Sequence, residues 1–348
     1  MVTPVVYSPA HRAHAPRTEV NLGLPIPTFE RPERAERIRD VLATDPNFDI
    51  VGPTSHARAP IEAVHDPGMV RFLETAWGEL HAQYGRDEFF PEVVYHGALR
   101  DGMGPAPVPT VAEHAFGYWC YETATPLAQG TYTAARASVD VALTAADLVA
   151  HGEPIAYGLC RPPGHHAAST VYGGFCFFNN AAIVARRAAA AGARVTILDV
   201  DYHHGNGTQQ IFYASDDVQF VSLHGDPVRA YPWFTGFADE TGAGAGSGHT
   251  LNLPLAAGTD DDGYLAALAE AVAQIDRFGP DLVVVSLGVD TYWNDPISDL
   301  ALTTDGYERC GRLVAELALP TVVLQEGGYD LEAIGPNVQR WLWGVATR

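Results

Sequence analysis

Short apolar runs bounded by turn signals recur along the chain at Pro154–Cys160, Val195–Asp201, Val218–His224, Asp281–Gly288 and Pro320–Glu326, and each reads as a strand. Between them apolar positions return at helical spacing. Tyr132–His151 is an alanine-rich helix, Ala181–Ala193 a helix closed by Gly192, and Tyr264–Phe278 a helix with Thr259 and Asp260 as start signals. Strand and helix in alternation predict an α/β fold. The expected form is a single domain over residues 1–348, with an open, mostly parallel multi-stranded sheet flanked by helices. Residues 85–130 interrupt the pattern. Tyr84–Pro91 and Gly102–Pro109 are loop-like, and a long irregular segment inside a compact domain points to a functional or interface role. The Gly-rich run Thr241–Gly248 is expected to be a flexible loop.

Polar residues follow the strands directly. Asp199-Val-Asp201-Tyr-His203-His204 ends the Val195 run, and Arg161-Pro-Pro-Gly-His165-His166 follows Pro154–Cys160. Asp290 comes just after Ser286-Leu-Gly288, and Tyr329 just after Gln325-Glu-Gly-Gly328. Open parallel sheets bind ligands at the carboxyl ends of their strands, so four separate segments converge on one crevice.

These residue types define a chemistry. Carboxylates and imidazoles beside a hydrophobic core are costly unless something binds them. Alternation along an extended chain sends Asp199, Asp201 and His203 to one side. Asp201, His203 and Asp290 make a three-ligand set with one position open for water, the pattern of catalytic zinc. Two carboxylates neutralise Zn²⁺ and weaken its acidifying effect on water, so a separate base is required. The tandem His165-His166 supplies it. A carboxylate neighbour would hold one imidazole charged, whereas a neutral amide would not, and Asp199 and Asn206 are candidate partners of these two kinds. Tyr329, on a Gly-Gly turn, can donate its hydroxyl to a developing oxyanion. Metal, histidine base and phenol donor together describe amide hydrolysis.

Composition narrows the setting. The net charge of -21 argues against nucleic acid and is compatible with steering a cationic substrate. All 21 basic residues are Arg, which removes a P-loop lysine, a Schiff-base lysine and a bound pyridoxal cofactor. The N-terminus shows no basic start followed by an apolar run, and no stretch approaches the ~18 apolar residues of a membrane span. A soluble cytoplasmic protein is expected. The four cysteines show no C-x-x-C pairing and are expected to be reduced.

Arg161-Pro-Pro-Gly-His-His-Ala167, Gly174-Phe-Cys-Phe-Phe-Asn-Asn180, Asp199-Val-Asp-Tyr-His-His-Gly-Asn-Gly-Thr208, Ser222-Leu-His224, Leu287-Gly-Val-Asp290 and Glu326-Gly-Gly-Tyr329 resemble the arginase/deacetylase superfamily. The likeness is to bacterial acetylpolyamine amidohydrolases and class II histone deacetylases, and it spans nearly the whole chain. It implies Zn²⁺ on Asp201, His203 and Asp290. It pairs His165 with Asp199 as electrostatic partner, and His166 with Asn206 as general base and then acid. Phe175 and Tyr231 would wall a narrow tunnel, with Gly174 and Glu113 among the substrate-binding positions. The backbone carbonyls of Asp199, Asp201, His203 and Leu223, with the Ser222 hydroxyl, would fit the family's structural K⁺ site. The 85–130 segment would build a homodimer and narrow the mouth. One departure is Ala124, where a second acidic residue is aligned, with Glu122 nearby. The expected substrate is a small N-acylated amine, foremost an acetylpolyamine. A protein-lysine deacetylase, a hydrolase of other small (including xenobiotic) amides, an arginase-like di-manganese hydrolase and a non-catalytic acetyl-ligand binder remain open.

Overall fold

A computed structural model describes residues 2–347. Its frame is a sheet of eight strands: β1 (Thr3–Val6), β2 (Phe48–Val51), β3 (Ile155–Gly158), β4 (Val195–Asp199), β5 (Val218–Gly225), β6 (Thr250–Leu255), β7 (Leu282–Leu287) and β8 (Thr321–Gln325). Their spatial order is β6-β5-β4-β7-β8-β3-β1-β2, and every pairing is parallel. The sheet expected to be mostly parallel is thus wholly parallel. All residues of β3, β4, β5 and β8 are buried, as fits strands covered by helices on both faces. Pro254, which has no N–H to give a ladder, sits on the edge strand β6.

Seven longer helices cover the sheet: α1 (Glu33–Ala43), α2 (Pro67–Tyr84), α3 (Thr131–Ala150), α4 (Asn180–Ala190), α5 (Asp261–Phe278), α6 (Thr304–Ala315) and α7 (Ile334–Ala346). One core cluster joins α2, α3 and α4 to the sheet, and another joins α1, α5, α6 and α7 to it. The result is a three-layer sandwich with helices on opposite faces. The expected start signal at Asp260 holds, because its carboxylate accepts from the Gly263 N–H at 3.1 Å. Asn179 caps α4 in the same way through the Ala182 N–H, at 2.9 Å.

The chain moves outward from β4 to β6 on one side and from β7 to β8 on the other. Strands β4 and β7 are therefore neighbours at a topological switch point, where a crevice opens above their carboxyl ends. Residues 85–130 are more ordered than the sequence suggests. They contain the helix Ala112–Trp119, and Glu88–Phe89 pairs with Leu127–Ala128. This helix has only eight residues and no side-chain cap, so little in the sequence announces it. The Thr241–Gly248 run is pinned too, with the Ala243 N–H donating to the Tyr213 carbonyl at 2.8 Å.

Candidate active site

Asp201 and His203 lie on the turn after β4, and Asp290 on the turn after β7. His203 Nδ1 is 3.3 Å from Asp201 Oδ1 and 3.1 Å from Asp290 Oδ2, and donor atoms of all three lie within 4.8 Å of one another. The carboxylates are fixed from behind. Asp201 accepts from the N–H groups of Gly327 (2.7 Å) and His203 (2.8 Å), and Asp290 from that of Tyr202 (2.9 Å). Glycine makes this approach possible. A Cβ on Gly288 would come within 2.1 Å of Asp201 Oδ2, and one on Gly327 within 2.3 Å of Asp290 Oδ2.

Asp199 does not join this group. The strand ends at Asp199, so the alternation that put all three side chains on one side stops there. Its Oδ2 instead meets His165 Nδ1 at 3.0 Å, while Asn206 Oδ1 meets His166 Nδ1 at 2.7 Å. The two adjacent imidazoles thus have partners of unlike charge. Burial opposes charging both. At His165 the carboxylates of Asp199, Asp201 and Glu326 overcome burial and raise the pKa well above the ordinary histidine value. At His166 burial, reinforced by the cationic character of His165 and His203, lowers it well below that value.

The two ligand-bearing carboxylates are buried with a single imidazole between them. Burial and the Asp201 charge raise the Asp290 pKa, whereas His165 and His203 lower that of Asp201 against the effect of burial. Against the effect of burial, the two carboxylates raise the His203 pKa to about 9, so a proton partly offsets their charge here; two buried carboxylates and an imidazole that gives up this proton are a donor set that a divalent cation neutralises, so these residues fit a metal.

Tyr329 closes another side. Burial raises its pKa well above the ordinary tyrosine value, so the phenol keeps its proton. Its N–H donates to Asp295 at 2.7 Å, the Arg34 guanidinium lies 4.5 Å from its ring centre, and the Phe175 ring 5.8 Å away. Phe175 has a left-handed backbone (φ 65°), rare for a bulky side chain. Gly174 lies against His166, and a Cβ there would come within 2.3 Å of its ring. Tyr231 packs edge-on to His166 with ring centres 4.9 Å apart. At the proposed K⁺ position, Ser222 Oγ lies 2.8 Å from His224 Nδ1 and Leu223 is fully buried on β5.

Glu113 stands apart. Its carboxylate accepts from the Tyr84 hydroxyl and lines a surface cleft of about 270 Å³ with Leu80, Arg86 and Phe89. Glu122 is turned inward, accepting from Thr125, from the Ala124 N–H and from the Gly174 N–H at 3.1 Å. It anchors the loop beside Phe175, and burial raises its pKa.

Sequence reasoning missed the buried support. Arg34 donates to the carbonyls of Gly328 and Glu326, each at 2.6 Å, and to Glu30 at 3.0 Å. Arg161 holds Glu30 through two bonds of 2.7 and 2.9 Å. Glu326 accepts from the N–H groups of Gly164 and His165 at 2.6 and 3.1 Å, tying the tandem histidines to the Tyr329 turn. No local signal marks Arg34, whose carbonyl partner on Gly328 lies 294 residues away.

A metal-competent group at the switch point of a parallel sheet, beside two adjacent histidines with unlike partners, fits a hydrolase site of the deacetylase type. The histone deacetylase domain matches residues 28–345. Acetylpolyamine amidohydrolase 1 of Pseudomonas aeruginosa is 44% identical over 342 residues, covering 97% of each chain. The acetylpolyamine amidohydrolase of Mycoplana ramosa is 44% identical over 347 residues, covering 98% of this chain and 99% of its own. The crystal structure of an acetylpolyamine aminohydrolase from Burkholderia pseudomallei superposes with a TM-score of 0.93 at 40% identity, covering 99% of both chains. The chain belongs to the histone deacetylase family, with the arginase/deacetylase α/β fold, and is an amide-deacetylating enzyme.

Proposed function

We propose that this enzyme removes the acetyl group from small N-acetylated amines, foremost acetylpolyamines, with one Zn²⁺ held by Asp201, His203 and Asp290. The observation that carries the reading is the unlike pairing of two adjacent buried imidazoles, His165 with Asp199 and His166 with Asn206, beside the three-ligand group. The names of relatives covering nearly the whole chain support the substrate class.

When bound, zinc would supply Lewis-acid polarisation of the amide carbonyl and a lowered pKa for the attacking water. The chain's own residues do the rest. His166, kept neutral, accepts the water's proton and returns it to the leaving amine nitrogen as the C–N bond breaks. His165, kept charged by Asp199, adds a fixed positive field beside it. The protonated Tyr329 hydroxyl donates to the carbonyl oxygen as negative charge develops there. Phe175 and Tyr231 wall a slot suited to a methylene chain. A structural K⁺ on the carbonyls of Asp199, Asp201, His203 and Leu223 with Ser222 Oγ would brace the turn that carries the ligands.

We also read the 85–130 segment as a homodimer interface that narrows the mouth. Val93, Leu99 and Met103 are 73%, 74% and 66% exposed on it, apolar side chains that a partner would cover. Among the described residues no helix is long and apolar enough to cross a membrane, which is compatible with a cytoplasmic setting.

The test is a panel of acetylputrescine, acetylcadaverine, acetyl-lysine peptides and simple neutral amides on zinc-loaded enzyme. Acetylputrescine and acetylcadaverine are expected to show the highest kcat/KM. Faster turnover of the peptides would replace the substrate assignment with a protein deacetylase. Inactivity on the whole panel would remove the assignment altogether.

A further inference from the structure

The turn that carries Tyr329 is gripped at a single peptide unit. The Gly328 carbonyl accepts from Arg34 Nε at 2.6 Å, and the Tyr329 N–H, the other end of the same unit, donates to Asp295 Oδ2 at 2.7 Å. Arg34 and Asp295 are 2% and 7% exposed, so a buried cation and a buried anion hold opposite ends of one dipole. The local sequence gives this peptide little preference of its own. Gly328 follows Gly327 and has a positive φ of 114°, and a Cβ on it would come within 2.6 Å of the Val289 side chain.

Asp295 lies on the loop after the ligand Asp290, and its carboxylate takes three N–H groups. Its Oδ2 accepts from Tyr329 and, at 3.3 Å, from Asp330, while its Oδ1 accepts from Ile297 at 3.1 Å. One oxygen therefore faces the Tyr329 turn and the other faces its own loop. These hydrogen-bond partners are backbone groups and not a cation, and burying a carboxylate on such partners is costly. Burial and the Asp290 charge raise its pKa, whereas the Tyr329 and Ile297 N–H groups oppose the rise. A neutral amide would avoid the cost, but it has one acceptor oxygen and one NH₂ group. Whichever way it turned, it would set N–H against N–H on one side and untie the loop from the turn. Only a carboxylate makes the grip on both sides.

We infer that Asp295 is a positioning residue: together with Arg34 it clamps the Gly328–Tyr329 peptide and so fixes where the Tyr329 hydroxyl points. The inference rests on Tyr329 being the oxyanion donor, as proposed above. It gives the metal side and the phenol side of the site one shared support, the loop that follows Asp290.

The experiment is a double-mutant cycle of Asp295→Asn and Tyr329→Phe, with kcat and KM for acetylputrescine and metal content measured on each zinc-loaded enzyme. Tyr329→Phe removes the hydroxyl, so a residue that acts by aiming it has nothing left to aim. Asp295→Asn is expected to lower kcat about tenfold in the wild-type background, with KM within about threefold and the metal retained, and less than about twofold in the Tyr329→Phe background. Equal losses in both backgrounds, or loss of metal, would reduce Asp295 to a structural role and overturn the inference, as would an unchanged kcat in the single variant. Hydrogen exchange supplies a reading that needs no turnover. The amide of Tyr329 or of Ile297 is expected to exchange at least about tenfold faster in Asp295→Asn, and wild-type rates at both would also overturn the inference. Should Asp295→Asn fail to fold, the exposed Asn294 offers a milder cut, because its Nδ2 ties the same loop to Asp330 Oδ2 at 2.7 Å. Asn294→Ala is expected to lower kcat about threefold in the wild-type background and to leave it unchanged in Tyr329→Phe, and equal losses in both would again overturn the inference. A Tyr329→Phe enzyme as active as wild type would count against the proposed function, while the exchange rates would still report whether the clamp exists.

Discussion

Each buried imidazole in this protein takes its behaviour from one or two atoms beside it. His166 faces an amide and His165 a carboxylate, so replacing them should have different signatures. His166→Ala is expected to lower kcat by about 10²- to 10⁴-fold while the metal content, measured by mass spectrometry, stays at one per chain. Asp201→Ala is expected to lose metal and activity together. His65 gives a pH-dependent case away from the site. It sits between two fixed backbone groups: its Nδ1 bonds the Ala168 carbonyl at 2.9 Å, and its Nε2 accepts from the Asn179 N–H at 2.9 Å. Burial lowers its pKa from 6.5 to about 4, although the Ala168 carbonyl partly resists. The unfolded chain therefore takes up a proton first as pH falls. The stability that neutral His65 allows is complete above about 6.5 and is lost progressively down to about 4. Urea titrations should show the gap between wild type and His65→Gln narrowing by about 2 kcal/mol from pH 7.5 to pH 5. A gap that does not change with pH would show that His65 is charged or solvated in the native state.

Two strands and the glycines after them make the metal group, and a methyl group there should be felt by the metal before it is felt by the fold. Gly288→Ala would press on Asp201 Oδ2, and its expected effect is metal binding weakened by about 10- to 100-fold in chelator competition, with the circular dichroism spectrum retained. Unchanged affinity would mean that the turn relaxes without moving the ligand. The elements that carry these turns were legible because central parallel strands are continuous apolar runs: β3, β4, β5, β7 and β8 coincide with the stretches read from the sequence. Strands β1 and β2 were not, because Pro4 and the exposed Asp49 interrupt their apolar runs, and β6 contains Pro254. The ligand set was legible because Asp201, His203 and Asp290 each follow such a run within a few residues. The role of Asp199 was legible only through family likeness, since alternation alone sends it to the wrong group. Arg34 and Glu30 were invisible for a different reason. Their partners come from distant segments, and nothing in the local pattern distinguishes them from surface polar residues.

At the scale of the whole molecule the dominant property is a net charge of -21 on 348 residues, with no lysine among its cations. The paired arginines are inside or at the periphery, and Arg161 and Arg34 are almost wholly buried. Acidic residues outnumber the arginines by 42 to 21, so the field that an approaching ligand meets is net negative. Acetylputrescine retains one ammonium group, so the field attracts it before any contact is made. N-butylacetamide has nearly the same length and the same reacting amide but no charge. Raising ionic strength shortens the reach of the field from about 30 Å at 0.01 M to about 10 Å at 0.1 M. The kcat/KM for acetylputrescine is therefore expected to fall about fivefold between about 0.01 M and about 0.3 M NaCl, while that for N-butylacetamide changes by less than about twofold. Parallel falls would mean that salt acts on the enzyme itself and that the charge has no part in substrate capture. A fall confined to the cation would assign the acidic surface a share in selectivity that no single side chain of the tunnel carries.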